Sequence, residues 1–258
     1  MVIQTEPTEI ILIKDLSLRY SDGNESLRNI NLSIKSKAIN VLFGPANGGK
    51  STLLRSLNRL NDLTDVNQLT GEIWFNGQNI LSSEVDVIEL RRKIGIVFSR
   101  PVVLPMTIFE NISYGLILAG MRNRVQLKER VKEALEQAVL WDEVYDRLDT
   151  PAADLSGGQK QRLCLARSLA LKPEIIMLDE PTSALDPVST TNIEDLLQRI
   201  KKDITIILAP HNTQQAARMA DYAAFFLQGE LVEWGEGPQI FGMPRNKKTQ
   251  EYIEGRYG

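Results

Sequence analysis

The sequence predicts an α/β fold: a buried parallel sheet with crossover helices, a small antiparallel β part ahead of it and a helical arm set within it. The runs AINVLF, KIGIVF, EIIMLDE and ITIILAP are compact and apolar on both faces, and each is followed by a loop and a helical pattern. That is the form of buried parallel strands joined by helices. Ahead of and between them, EIILIKDLSLRY, LRNINLSI and GEIWFNG carry short apolar or alternating runs, punctuated by turn residues such as Asp22-Gly23. These read as antiparallel strands. From Val125 to Val144 the apolar positions recur at helical spacing with charged residues between them, inside a mostly helical stretch of about 99–170. A single domain over 1–258 is expected. Its core and β subdomain come from about 1–98 and 169–258, and its helical subdomain from about 99–168.

Composition sets the limits on function. With 43% apolar and 24% charged residues, the chain has the make-up of an ordinary globular protein. A formal net charge of −3 provides no electrostatic footprint for nucleic acid or anionic lipid. The basic RNKK segment at 245–248 reads as a solvated face. Cys164 is the only cysteine, which excludes a disulfide framework and a multi-cysteine metal site and fits a reducing, cytosolic compartment. The opening MVIQTEPTEI lacks the basic-then-apolar form of a signal peptide. No apolar run approaches the ~20 residues of a membrane helix, so a membrane role is expected to come through a partner.

Chemistry first appears at residues 44–51, GPANGGKS, between the strand AINVLF and the helical pattern STLLRSLNRL. They match G-x-x-x-x-G-K-[ST] in the strand–loop–helix context that a phosphate loop requires. Glycines at 44, 48 and 49 let backbone N–H groups close around phosphate oxygens, and the helix start adds its positive dipole end. Lys50 is placed to pair with β and γ phosphates and Ser51 to ligate Mg2+. The plain alternative, a glycine turn entering a helix, is disfavoured by motif and context together. The α/β fold is therefore expected to be that of a P-loop NTPase.

Residues 175–181, IIMLDEP, form an apolar strand ending in Asp179-Glu180-Pro181. Two adjacent carboxylates at the end of a core strand are costly to bury without a cation or bonding partners. Beside a phosphate loop, Asp179 is expected to hold the Mg2+ shell and Glu180 to orient and deprotonate water for in-line attack on the γ-phosphate. Capping of the next helix is the alternative for either. A second candidate anion site lies at 155–159, LSGGQ. There Ser156 and Gln159 satisfy the S-x-x-Q capping box, while Gly157 and Gly158 leave N–H groups open at a helix start. The residues alone leave both readings open. His211, the single histidine, follows the strand ITIIL, where a structural role is the ordinary one.

GPANGGKST, LSGGQKQR, IIMLDEPTSALD and the histidine of APHN stand in the order and spacing of ABC-transporter ATPase subunits. The chain resembles that family over essentially its whole length. LRSLNRLNDL, DVIELRRKIGIVF, ALWDEVYDRL, HNTQQAARMAD, AFFLQGELVEWG and TQEYIEGRYG resemble the branch that serves high-affinity phosphate importers. The resemblance implies a RecA-like core and an ATP site formed by Tyr20, stacking on adenine, and by Gly44, Pro45, Ala46, Asn47, Gly48, Gly49, Lys50, Ser51 and Thr52. It implies a head-to-tail homodimer with two ATP molecules sandwiched between copies, to which Ser156, Gly157, Gly158, Gln159 and Asp186 contribute in trans. His211 would contact the γ-phosphate and the catalytic Glu180. The partners implied are membrane permease subunits and, indirectly, a solute-binding protein, with the chain on the cytoplasmic face of the membrane.

The sequence departs from the family pattern at three points. Asn47 replaces a usual Gly, and Asn is the residue that next best tolerates φ > 0. Pro210 replaces the Thr before the histidine; it biases Ala209 toward extended backbone, leaving His211 aimed as usual. Ser99 replaces the Gln whose amide reaches the Mg2+ and attacking-water region. Its hydroxyl has a much shorter reach and would act through one bridging water. ATP-driven transport is therefore weighed against a nucleotide-binding regulatory subunit of reduced hydrolysis and against an importer of another solute. A soluble ATPase acting on DNA or ribosomes is disfavoured by the near-neutral charge and the lack of a long coiled coil.

Overall fold

The computed structural model describes residues 8–183 and 185–256. Residues 1–7, most of the MVIQTEPTEI stretch to which the signal-peptide reading applies, lie outside this range. Two sheets carry the fold. The first is four-stranded and antiparallel, built from β1 (Glu9–Tyr20), β2 (Glu25–Lys35), β4 (Val66–Phe75) and β5 (Gln78–Asn79) in the order β2-β1-β4-β5.

The second is six-stranded. Its members are β3 (Ile39–Phe43), β6 (Ile94–Val97), β7 (Ile175–Asp179), β8 (Thr205–Ala209), β9 (Tyr222–Leu227) and β10 (Glu230–Glu236), in the order β10-β9-β3-β8-β7-β6. All neighbours pair in parallel except β9 and β10. The four expected parallel strands are adjacent, and the sheet is extended by the β9–β10 hairpin. Within it Gln228 and Gly229 take φ of 51° and 82°, as a two-residue turn with both central residues left-handed requires.

The helices are α1 (Lys50–Leu57), α2 (Val87–Lys93), α3 (Ile108–Leu118), α4 (Arg124–Gln137), α5 (Trp141–Val144), α6 (Gly157–Leu169), α7 (Pro187–Ile200), α8 (Thr213–Met219), α9 (Gly237–Gly242) and α10 (Lys247–Ile253). None is long and apolar enough to cross a membrane, among the described residues.

Alternation along each central strand divides the interior. Ile175, Met177, Ile207 and Ala209 face one core, shared with the antiparallel sheet and with Leu53, Leu54 and Leu57 of α1. Ile176, Leu178, Ile206 and Leu208 face the other, against Leu165 and Leu169 of α6, Leu196 and Leu197 of α7, and Met219 of α8. The three fully buried leucines of α1 each contribute roughly 1.5–3 kcal/mol and fix the helix that carries the phosphate loop. A third core lies among α3, α4 and α6, around Ile112, Val131, Leu135, Leu163 and Ala166. Since α6 contributes to both the second and third cores, it ties the helical region to the sheet.

The helix expected over Val125–Val144 is two helices. α4 ends at Gln137, and Val139 takes φ 53°, with its N–H donating to Glu136 O at 3.1 Å and the Leu140 N–H to Leu135 O at 2.9 Å. That pair of bonds closes the helix in a Schellman motif. Leu135, Ala138, Leu140 and Val144 are all buried in the third core, and the chain must turn to place them there. Residues 99–107 likewise form no helix; α3 begins after Thr107, which caps it in a reciprocal capping box with Glu110.

Candidate nucleotide site

The phosphate loop follows β3, all five residues of which are buried, and feeds α1. Its glycines are required by contact. A Cβ on Gly44 (φ 138°) would lie 2.0 Å from Phe226 O, and one on Gly49 (φ 102°) would lie 2.6 Å from Ser26 O. Asn47 takes φ 59°, the conformation expected of it. The loop closes on itself by Gly48 N–H to Pro45 O at 3.2 Å and is pinned to the β9–β10 turn by Gly229 N–H to Gly48 O at 3.2 Å. No side chain caps α1 at Gly49, so its first-turn N–H groups are left for an anion.

Lys50 is 8% exposed, and its ammonium donates to Gly44 O and Pro45 O, both at 2.8 Å. Burial lowers its pKa, against the opposing pull of Glu180 and Asp179 nearby. The Ser51 hydroxyl donates to Asp179 Oδ1 at 3.1 Å, so the predicted cation ligands converge from α1 and β7. Among the described residues no group of three or more His, Cys, Asp or Glu is placed to hold a metal. One hydroxyl and one carboxylate, both oxygen donors, fit a magnesium ion completed by phosphate oxygens and water.

A cleft of about 490 Å³ opens over the loop, lined by Tyr20, Ala46 to Thr52, and Glu180, with Asp22, Asn24, Ser26 and Arg55. The last four were not anticipated. Arg55 had a signal: it stands four residues after Ser51, on the same helix face. Tyr20 and Thr52 are linked. The Tyr20 hydroxyl lies 3.2 Å from Thr52 Oγ1, which is also 2.8 Å from Ser26 Oγ. Thr52 thus holds the aromatic ring at the cleft wall.

Glu180 caps no helix; α7 is capped by Asp186. At φ 48° Glu180 sits in the left-handed region, a strain of roughly 1–3 kcal/mol that persists only where surroundings enforce it. Its N–H donates to Ala209 O at 2.8 Å, extending the β7–β8 ladder past the Asp179–Ala209 pair. Ala209 ends β8 as expected, and His211 stands exposed two residues on, outside the cleft lining. Ser99 lies two residues past β6, half-buried and also outside the lining.

No residue of LSGGQ lines this cleft. Ser156 Oγ accepts the Gln159 N–H at 3.3 Å and Gln159 Oε1 accepts the Ser156 N–H at 3.0 Å, so the capping box is present. Gln159 Nε2 donates to Glu143 Oε2 at 2.8 Å. Ser156 and Gly157 are nonetheless exposed, and a Cβ on Gly157 would meet nothing within 4 Å. Asp186 is exposed beside them, its carboxyl held below the ordinary range by the hydroxyl and N–H of Ser189, which also touches the Cβ position of Gly158.

A phosphate loop after β3 of a mostly parallel sheet, with an acidic pair at the end of β7 one strand beyond β8, defines a P-loop NTPase. Residues 27–183 match the family described as ABC transporter. The chain is 48% identical over 257 residues to Phosphate import ATP-binding protein PstB 2 of Bacillus subtilis (strain 168), covering 100% of this chain and 95% of that one. It is 49% identical over 256 residues to Phosphate import ATP-binding protein PstB of Pseudoalteromonas translucida (strain TAC 125), covering 99% and 92%. Among solved structures it is similar to cbiO1 of Clostridium perfringens, part of the ABC transporter complex cbiONQ, with TM-score 0.79, 29% identity and 96% of each chain covered. It is also similar to the ATP-binding cassette MJ0796, solved as a dimer in a post-hydrolysis state bound to ADP and Pi, with TM-score 0.73, 29% identity, and 88% and 98% covered. This chain belongs to the ABC transporter family and is an ATP-hydrolysing ABC ATPase.

Proposed function

We propose that this chain drives phosphate import: two copies close head to tail on two ATP molecules, and their closure and hydrolysis power separate membrane permease subunits fed by a solute-binding protein. The full-length likeness to two phosphate import ATP-binding proteins carries the choice of solute. The ATPase itself does not meet the solute, so its site chemistry is silent on this point. The exposed, unfilled surface of Ser156 and Gly157, outside the chain's own cleft, supports their use on a partner's nucleotide. A site on the cytoplasmic face, held there by the permease, follows from that assembly.

In this reading Tyr20 offers its ring to adenine, and the loop Gly44 to Thr52 holds the phosphates through its backbone N–H groups, of which Pro45 has none, and the Lys50 ammonium. Ser51 and Asp179 would hold Mg2+, which supplies neutralisation of phosphate charge when bound. Glu180 takes a proton from water as the water oxygen bonds to the γ-phosphorus, and the bond to the bridging oxygen breaks to leave ADP and phosphate. His211 approaches the γ-phosphate on closure, and Ser99 reaches the same region through a water. The partner copy supplies Ser156, Gly157, Gly158, Gln159 and Asp186.

The test pairs turnover with transport. Purified chain reconstituted with its permease subunits in vesicles should take up radiolabelled phosphate in an ATP-dependent way, and Glu180→Gln should abolish both uptake and phosphate release. Uptake of a different solute class would overturn the choice of phosphate; full hydrolysis by Glu180→Gln would overturn the catalytic assignment.

A further inference from the structure

β7 and β8 end side by side, and the two loops that follow them carry Glu180 and His211. Backbone pairing holds them only as far as the Glu180 N–H to Ala209 O bond. The next residue on the β8 side is Pro210, which has no N–H to continue the ladder. Past that point a side chain joins the loops. Gln215, the third residue of α8, is 3% exposed. Its Oε1 accepts the His211 N–H at 3.2 Å, and its Nε2 donates to Thr182 Oγ1 at 3.0 Å and to Glu194 Oε1 of α7 at 2.9 Å. The Thr182 hydroxyl also lies 3.2 Å from Gln215 Oε1. Glu194 is in turn paired with Arg218 at 2.9 Å.

The orientation of this amide is forced. Turned over, it would set NH₂ against the His211 N–H and oxygen against the Glu194 carboxylate. Helix formation does not require the side chain, since α8 is already capped by Asn212, whose Oδ1 accepts the Gln215 N–H at 2.8 Å. Core packing does not require it either, because an apolar side chain of the same length would fill the space. What the amide adds is a fully bonded, buried bridge between Thr182, two residues past Glu180, and His211. Such a network is stiff in a low-dielectric interior.

We propose that Gln215 is a positioning residue for ATP hydrolysis, fixing the His211 loop to the segment after Glu180 so that carboxylate and imidazole keep one separation. This rests on the roles given above to Glu180 and His211. Gln215 does not line the nucleotide cleft, so its loss acts on turnover and not on ATP capture.

The experiment is steady-state ATP hydrolysis by the purified full chain. Gln215→Met keeps the length and removes every polar contact; kcat should fall about tenfold, the equivalent of one to two hydrogen bonds, with KM for ATP within about twofold of the parent. In a His211→Ala background the same change should add less than about twofold, because the two residues act as a unit. A purely structural role predicts the opposite: kcat per folded site unchanged, or an effect of full size on top of His211→Ala. Either result overturns the proposal. Should Gln215→Met fail to fold, Thr182→Val removes the other end of the bridge and carries the same expectations. Glu180→Gln, measured alongside, separates the two readings. Retained turnover there refutes the site assignment, whereas lost turnover there with parental Gln215→Met refutes the positioning role alone.

Discussion

Replacing Gly44 by alanine sets a methyl carbon against the backbone of β9. The Cβ would stand 2.0 Å from Phe226 O and 3.0 Å from its carbonyl carbon, where ordinary contact begins near 3.4 Å. Loop and strand must separate by roughly 1.4 Å to relieve this, the difference of those two distances. Neither side yields easily, because Phe226 is fully buried and β9 is paired to β3 up to the Phe43–Phe225 pair. Overpacking costs about 1–3 kcal/mol, and the φ of 138° adds about 1–3 kcal/mol for a residue with a Cβ. At about 2–4 °C per kcal/mol for a chain of this size, the melting temperature should fall by roughly 5–20 °C. The displaced amides no longer converge on the phosphates, and an error of ~1 Å in placement costs about 100-fold in turnover. Calorimetry gives the melting temperature of the free chain and its affinity for a non-hydrolysable ATP analogue, and steady-state ATP hydrolysis gives the turnover. A variant that melts with the parent and binds the analogue as tightly would refute the claim that contact with Phe226 shapes the loop.

Other substitutions test other joints of the structure. Val139→Gly relieves a β-branched residue at φ 53° that is 42% exposed, and should stabilise the chain by about 0.5–1 kcal/mol in denaturant unfolding. Glu143→Ala leaves the nearly buried Arg162 without its 2.7 Å carboxylate partner and should cost about 1–2 kcal/mol, discounted because Glu143 is itself 41% exposed. Burial raises the Glu143 pKa, but the bonds from Arg162 and Gln159 outweigh it and the net shift is downward. The gap between parent and Glu143→Ala should accordingly be full at neutral pH and close as the pH falls through that lowered value. Ser99→Gln should raise hydrolysis or its coupling to transport by several-fold, through an amide that reaches where a hydroxyl needs a water; unchanged rates would show the serine to be sufficient.

Much of this architecture is legible in the sequence. Runs apolar on both faces have few uses besides a buried parallel sheet, and the phosphate loop is local enough for eight residues to specify it. The antiparallel strand read from EIILIKDLSLRY is β1, Glu9–Tyr20, because alternation and the Asp22-Gly23 turn agree. What escaped were conformations that the residue types disguise. The break after α4 places a valine in left-handed backbone, where glycine would have announced a helix end, and its cause is the burial of Leu140 and Val144 in a core assembled from distant helices. The β9–β10 hairpin turns on Gln228-Gly229, lacking the Asn or Asp that usually marks such a turn. The Thr52 hub joins residues 26 and 32 positions apart and the Gln215–Thr182 link residues 33 apart, so they exist only once the sheets have formed. The capping box at Ser156 was legible, but that Ser156 and Gly157 stay exposed outside the chain's own cleft was not.

That exposure underlies the central claim, a catalytic site divided between two copies of the chain. Mixing two inactive variants tests it most directly. Lys50→Met disables the phosphate loop and Ser156→Arg the surface offered to the partner, so each alone should release almost no phosphate from ATP. Equal mixing with free exchange of copies makes half of the dimers mixed, each with one site assembled from an intact loop and an intact partner surface. Activity should return to about a quarter of the parental level. A mixture as inactive as its components, or a Ser156→Arg variant with parental turnover by itself, would contradict the shared site.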